Sequence, residues 1–340
     1  MIKKHFSGRK NNSERKGKLE RKGKSARKSK SARKGKSVRK GKSAVAAVID
    51  LGSNSLKMTI ARIDKNGAEK LKSQRSTVRI SENMGEDNIL QPLAYENTIA
   101  VLKEFNTAIS DHNADIVRAI ATEGLRKAQN AGDFLNVVKR ETGIAFDIIS
   151  GEREAELGYL GLSGEVDLKE YILLDTGGGS CEIVHIKDSY PERAASLSIG
   201  GVVLREKFLE RDIVSVKSLF NMYKYVSRKM NDIAWLKDCK GIPVAAIGGS
   251  NKALIHLGGK NNFSKEELYD IYKILLNSDL EKRRDLLGTY GDRADIIIGG
   301  LAALIFIVHK INTDNIYISK RNLRDGILAE IRKILFTEEA

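Results

Sequence analysis

Cysteine is scarce in this chain, with only Cys181 and Cys239 among 340 residues. Two isolated thiols supply neither a disulfide framework nor a zinc spacing, so nothing points to an oxidising compartment and a cytoplasmic protein is expected. Five histidines are scattered without an HxxxH or His-Asp pairing, which disfavours a His-based metallophosphatase. Long apolar runs are missing too. The longest uncharged one, Ile296 to Val308, has 13 residues, too few to span a bilayer and better suited to a buried helix. There is no GxxxxGK[ST] run and no GxSxG elbow, which argues against a P-loop NTPase and an α/β-hydrolase. An apolar content of 41% and a charged content of 30% remain, the make-up of a globular protein long enough for two domains.

The formal net charge of +15 is unevenly placed. Residues 1–44 hold 19 Lys or Arg against 2 Glu, a net of +17, so the remainder is close to neutral at −2. The segment is built on a six-residue repeat with Arg15, Arg21, Arg27, Arg33 and Arg39 at equivalent places, mostly Arg-Lys-Gly-Lys-Ser-Ala. With almost no large apolar side chains it cannot offset its ordering entropy, so 1–44 is expected to be disordered. It has no apolar core of a secretory signal. A polycation of this density binds polyanions by counterion release, with polyphosphate, nucleic acid or an anionic surface as the candidates. A merely solubilising tail is the plainer alternative.

What the folded part does have is three turns of related design. Tyr171-Ile-Leu-Leu-Asp175 is a short apolar strand ending in a carboxylate; Gly177, Gly178, Gly179 and Ser180 follow, and a second apolar run resumes at Cys181. Three glycines in a row let backbone N–H groups close on a charged oxygen and permit left-handed dihedrals. An anion beside Asp175 calls for a bridging cation, for which magnesium is the natural choice. Val45-Ala-Ala-Val-Ile-Asp50 has the same layout, with Gly52, Ser53, Asn54 and Ser55 in the turn before a return strand. The third turn, Gly248-Gly249-Ser250, leads from the apolar strand Val244–Ile247 into a helix, as in phosphate sites at helix N-termini. Two Asp-turn hairpins in one chain predict a duplicated unit with two phosphate loops face to face.

Between these turns the periodicity alternates. A first unit reads β-β-β-α-β-α-β-α through Ser163, a mixed sheet with helices on its faces, and the second unit from Tyr171 repeats much of that plan. Glu123 and Arg126 follow a strand at its carboxyl edge, where α/β proteins place ligands. Arg79 ends an extended stretch, and Asp147 lies on a strand over Ile144–Ile149. Ser264 with Glu267 predicts a capping box. Leu323, Ile327, Leu328, Ile331 and Leu335 make one stripe of a closing helix, expected over 322–337 and expected to pack back across the domain junction.

The motifs Asp50-Leu-Gly-Ser-Asn-Ser55, Ala121-Thr-Glu-Gly-Leu-Arg126, Ile149-Ser-Gly-x-x-Glu154-Ala155, Asp175-Thr-Gly-Gly-Gly-Ser180 and Ile247-Gly-Gly-Ser250 resemble, in that order, those of the exopolyphosphatase/guanosine-pentaphosphate phosphatase (Ppx/GppA) family. The resemblance runs on through Arg293-Ala-Asp295 and Leu323-Arg-Asp-Gly326 and covers about residues 45–337. It implies an α/β fold of the actin/Hsp70/sugar-kinase superfamily, two ribonuclease-H-like domains around a cleft, here over 45–166 and 167–340. It implies that the two Asp-turn loops and Gly248–Ser250 hold phosphates, with Arg126 and Arg79 on phosphate oxygens. Glu123 and Glu154 would be the catalytic carboxylates, and Asp50, Asp147, Glu154 and Asp175 the metal ligands. The reaction would be magnesium-assisted removal of the terminal phosphate of inorganic polyphosphate, or of guanosine pentaphosphate, by a homodimer. Cys181 and Ser250 stand where the family favours Thr, and Val203 where it favours a polar residue. A kinase-like phosphotransferase and a polyanion-binding phosphate sensor are the readings outside this activity.

Overall fold

Strand propensity and burial agree over the first hairpin. β1 (Ser43–Leu51) and β2 (Ser55–Asp64) are apolar on both faces and almost wholly buried, as strands covered on two sides must be. The computed structural model describes residues 43–209 and 214–336. The basic repeat and its expected disorder therefore lie outside the described residues, apart from the last two positions of 1–44.

β2 turns antiparallel to both β1 and the edge strand β3 (Ala68–Thr77). The long helix α1 (Pro92–Asp111) leads to β4 (Ile116–Ala121), which lies parallel to β1. The short α2 (Glu123–Lys127) and α3 (Ala131–Thr142) precede β5 (Asp147–Ile148), a two-residue strand where the sequence pattern predicts six residues. The sheet order is β3-β2-β1-β4-β5. α4 (Gly151–Leu162) then crosses to a second sheet.

That sheet begins with the antiparallel meander β6 (Tyr171–Thr176), β7 (Cys181–Lys187) and β8 (Tyr190–Leu197). α5 (Gly201–Phe208) and α6 (Val216–Asn231) follow, and a 3-10 turn at Ala234–Asp238 comes after α6. β9 (Val244–Gly248) lies parallel to β6, and α7 (Gly249–Gly258) leaves its end. After β10 (Asn262–Phe263) come α8 (Lys265–Leu276), which carries the predicted Ser264/Glu267 capping box, and α9 (Leu280–Leu287). α10 (Ile297–Ile311), buried on nearly every face, precedes β11 (Ile316–Ile318), parallel to β9. The second order is β10-β11-β9-β6-β7-β8. Both sheets thus share a three-stranded meander followed by parallel crossovers, the duplication that the two hairpins announce in sequence.

α11 (Leu323–Phe336) packs back on the first sheet: Leu323, Ile327, Leu328 and Ile331 share a core with Ala46, Val48, Ala61 and Ile63. α4 lies beside it with two apolar faces, Leu157 in that core and Ala155 and Leu162 against Leu173, Val184 and Ile247 of the second sheet. Small residues allow the pair to meet. A Cβ at Gly161 would fall 2.5 Å from the Asn322 carbonyl oxygen, and one at Gly326 would fall 2.0 Å from that of Leu157. The helices therefore cross backbone to backbone, and α4 holds its first turn between the two sheets.

Candidate active site

A cleft of about 470 Å³ opens between the carboxyl ends of β1 and β6. Asp50, Gly52, Ser53, Asn54 and Ser55 line it from one side, Asp175 and Gly177 to Ser180 from the other, with Gly248, Gly249 and Glu154 completing the wall. These are sequence-predicted residues brought together by the duplicated strand order.

The triple-glycine loop owes its composition to close approach. None of Gly177, Gly178 and Gly179 has positive φ, so the left-handed dihedrals allowed for them in sequence are not used; Gly248 is the left-handed one, at φ 103°. A Cβ at Gly179 would lie 2.3 Å from Ser53 Oγ and 2.8 Å from Glu123 Cγ, and one at Gly178 would lie 3.1 Å from Asn54 Cβ. The facing loops touch, and any side chain would part them. From behind, the first N–H groups of α5 donate to this loop: Gly201 to the Gly177 carbonyl at 3.1 Å, Val202 to that of Gly178 at 2.9 Å and Gly200 to that of Gly179 at 3.1 Å. The loop's carbonyls are thus taken up on the side of α5, while the Gly177 N–H closes the turn on the Ser180 carbonyl at 2.9 Å. Across from it, Asn54 Nδ2 is buried without an acceptor.

Glu154, in the first turn of α4, is buried and accepts from Arg126 Nη1 at 2.8 Å. Burial pushes its carboxyl up to about 7, reinforced by Asp175 and Asp50 and opposed by Arg126. Glu123 differs. Its Oε2 accepts from Arg126 Nε at 3.1 Å, and its Oε1 meets Lys127 Nζ at 2.8 Å and Ser198 Oγ at 2.6 Å. Burial alone would raise this carboxyl, but Lys127, Ser198 and Arg126 together hold it below the usual range. Arg126 therefore bridges two carboxylates of unlike basicity behind the cleft wall.

Asp50 Oδ2 is approached by Lys57 Nζ at 3.3 Å and Arg324 Nη1 at 3.4 Å. Asp175 makes no side-chain hydrogen bond or ion pair to any described residue, and burial raises it to about 6. Among the described residues no three His, Cys, Asp or Glu side chains converge as a metal cage. Asp175, which has no side-chain partner among the described residues, and Asp50, of which only Oδ2 is engaged, would suit a magnesium ion that keeps waters and takes phosphate oxygens. Glu154 is tied to Arg126, and Asp147 is exposed on the edge strand β5, outside the cleft lining.

Two further expected residues face elsewhere. Arg79, with φ 46°, bonds Asp295 Oδ2 at 2.9 Å and Glu82 Oε1 at 3.3 Å, clasping the first sheet's loop to the start of α10. Ser250 is buried against α10, where a Cβ at Gly300 would lie 2.1 Å from its Oγ. What the sequence reading missed is a cationic wall: Lys57, Arg75, Lys252, Arg293 and Arg324 all line the cleft. Lys252 carried a usable signal, being a lysine in the first turn of a helix, where the macrodipole disfavours a cation. Glu182 was missed as well. It pairs across the strands with Asp175, is fully buried with Oε2 unpartnered, and its carboxyl is raised well above the usual range by burial and by Glu154 and Asp175.

Residues 59–334 match the model of the Ppx/GppA phosphatase family. The chain is 28% identical over 307 residues to a bifunctional 3-dehydroquinate synthase/phosphatase of Fusobacterium nucleatum; the match covers 83% of this chain and spans 46% of that relative's length. Among solved structures, a Ppx/GppA family member of Aquifex aeolicus superposes with a TM-score of 0.71 at 25% identity, covering 88% of this chain and 99% of the other. An exopolyphosphatase of Cytophaga hutchinsonii shares the fold at a TM-score of 0.78 and 21% identity, covering 86% and 97%. With most of its described length inside that family model, and the motif residues gathered on facing loops of a duplicated actin-like fold, the chain belongs to the Ppx/GppA phosphatase family.

Proposed function

We propose that this phosphatase removes the terminal phosphate of inorganic polyphosphate, with guanosine pentaphosphate as the alternative substrate. The observation that carries the reading is Glu154, a buried carboxyl near 7, set at the edge of two facing phosphate loops. A group of that basicity takes a proton from an attacking water at neutral pH. Arg126 orients Glu154, and Glu123 acts on the reaction by positioning Arg126, since its own oxygens are saturated by Arg126, Lys127 and Ser198. The N–H groups of the glycine loop, Asn54 Nδ2 and Ser53 receive the phosphate oxygens. Asp50 and Asp175 would hold a magnesium ion, which would supply charge neutralisation for the transferred group. The basic repeat supports polyphosphate over the nucleotide, because a long polyanion engages it and a compact nucleotide does not.

The test is phosphate release from long-chain polyphosphate and from guanosine pentaphosphate, side by side with magnesium. Faster turnover of polyphosphate is expected, together with a higher KM on long chains alone when residues 1–42 are removed. Preference for guanosine pentaphosphate would move the activity to the alternative, and no release from either compound would sink both.

A further inference from the structure

Lys252 projects from the first turn of α7 into the cleft and is half-buried there. It makes no hydrogen bond or ion pair to any described residue. Its cationic neighbours are differently placed: Lys57 and Arg324 both turn to Asp50, and Arg324 Nε also donates to Thr59 Oγ1 at 2.9 Å. Arg293, another lining residue, has a buried Nε without an acceptor and lies against Gly249, whose Cβ would fall 2.2 Å from its guanidinium carbon. A cation half removed from water, beside other cations and at the positive end of a helix, is unfavourable unless an anion joins it.

Position follows from the helices on either side of Asp175. A Cβ at Gly158 of α4, the helix that carries Glu154, would lie 3.8 Å from Asp175 Oδ2, and one at Gly248, which caps α7, would lie 3.1 Å from Asp175 Oδ1. Asp175 thus stands between the helix of the carboxylate and the helix of the ammonium. In an in-line displacement, water and leaving group lie on opposite sides of the transferred phosphorus. With the water on the Glu154 side, the leaving segment extends toward Lys252.

We propose that Lys252 is a substrate-binding residue for the phosphates that are not transferred, the leaving segment of a linear phosphoanhydride chain. This rests on the phosphohydrolase reading above. The chemistry recognised is shared by inorganic polyphosphate and a nucleoside 5′-polyphosphate, so both are needed as probes. Burial, with Arg324 and Lys57, brings the Lys252 ammonium down to about 7, the direction a bound anion would reverse.

The experiment compares wild type, Lys252→Gln and Lys252→Arg in turnover, and repeats the comparison by titration calorimetry with inorganic tripolyphosphate and guanosine pentaphosphate in a Glu154→Gln background. Losing one charge-assisted contact should weaken binding of both compounds about tenfold or more, with Lys252→Arg recovering most of it. KM should rise by more than kcat falls. In the absence of ligand the melting temperature of Lys252→Gln should hold or rise, whereas a lysine with a structural role would lower it on removal. Binding and KM of Lys252→Gln within twofold of wild type would overturn the inference while leaving the phosphohydrolase reading intact. Loss for one compound only would also overturn it, since the contact would then not be to the shared chain. If wild type neither binds nor hydrolyses either compound, the function itself has failed and Lys252 falls with it.

Discussion

Glu123 and Glu154 are both carboxylates of matched motifs, yet their surroundings make them different reagents. Three donors saturate Glu123 and keep it acidic, while burial makes Glu154 a base near 7. Glu154→Gln should therefore cost about 10²–10⁴ in kcat, the usual worth of a general base. As the proposed base Glu154 would work ionised, so kcat should fall as pH drops through about 7, and this limb should vanish in the variant. Glu123→Gln should lower kcat and leave the limb in place; a limb that moved with Glu123 would reverse the two roles. Gly179→Ala should abolish turnover with little change in the unfolding midpoint, because its Cβ collides with Ser53 and Glu123 across the loop contact. Asp50 and Asp175 were readable as carboxylates ending strands before a turn. The unlike basicity of Glu123 and Glu154 was not, since it depends on Ser198 from another strand and on burial between two sheets.

At the scale of elements, the informative pair is α4 with α11. The stripe Leu323, Ile327, Leu328, Ile331 shows from sequence that α11 is amphipathic, but not which sheet receives it. The contact is decided by Gly161 and Gly326, whose missing side chains let the helix backbones touch. Gly326→Ala should lower stability by about 1–3 kcal/mol through overpacking, read as a lower urea midpoint with unchanged slope. Gly161→Ala should do the same. Their double variant should fall short of the sum, because both widen one crossing. Glu154 rides on α4, so kcat at low urea should suffer in each. β5 is two residues long where the periodicity of 144–149 suggests six, pairing with β4 only at Ile120 and Ala121.

Across the molecule, ion pairs bridge the mouth of the cleft. Arg75 on β3 meets Asp292 Oδ2 at 2.6 Å, Thr77 Oγ1 donates to the same carboxylate at 3.1 Å, and Arg79 meets Asp295. Arg75 and Asp292 are both partly exposed, so that pair is worth only about 0–1 kcal/mol and is screened by salt, whereas Asp295 is buried and holds Arg79 more firmly. They are suited to holding two lobes together reversibly. Asp292→Asn should change the unfolding midpoint little while speeding amide exchange over 75–77 and 288–293. Unchanged exchange there would mean that the clasp contributes nothing to closure. No single helix among the described residues is long and apolar enough to cross a membrane.

The sequence by itself determined the duplicated architecture and the two facing loops, because strand alternation, a terminal Asp and a small-residue turn are local patterns with local causes. It also determined the separation of the basic repeat from a near-neutral remainder, which is a matter of counting charges. Only tertiary structure decided how those parts work on one another. It turned Arg79 away into a clasp, left Asp147 on an outer edge, made Glu154 the better base and lined the opposite wall with Lys57, Arg75, Lys252, Arg293 and Arg324. The reason is physical: charge and basicity in a cleft depend on burial and on neighbours distant in the chain, and neither quantity is written at any one position.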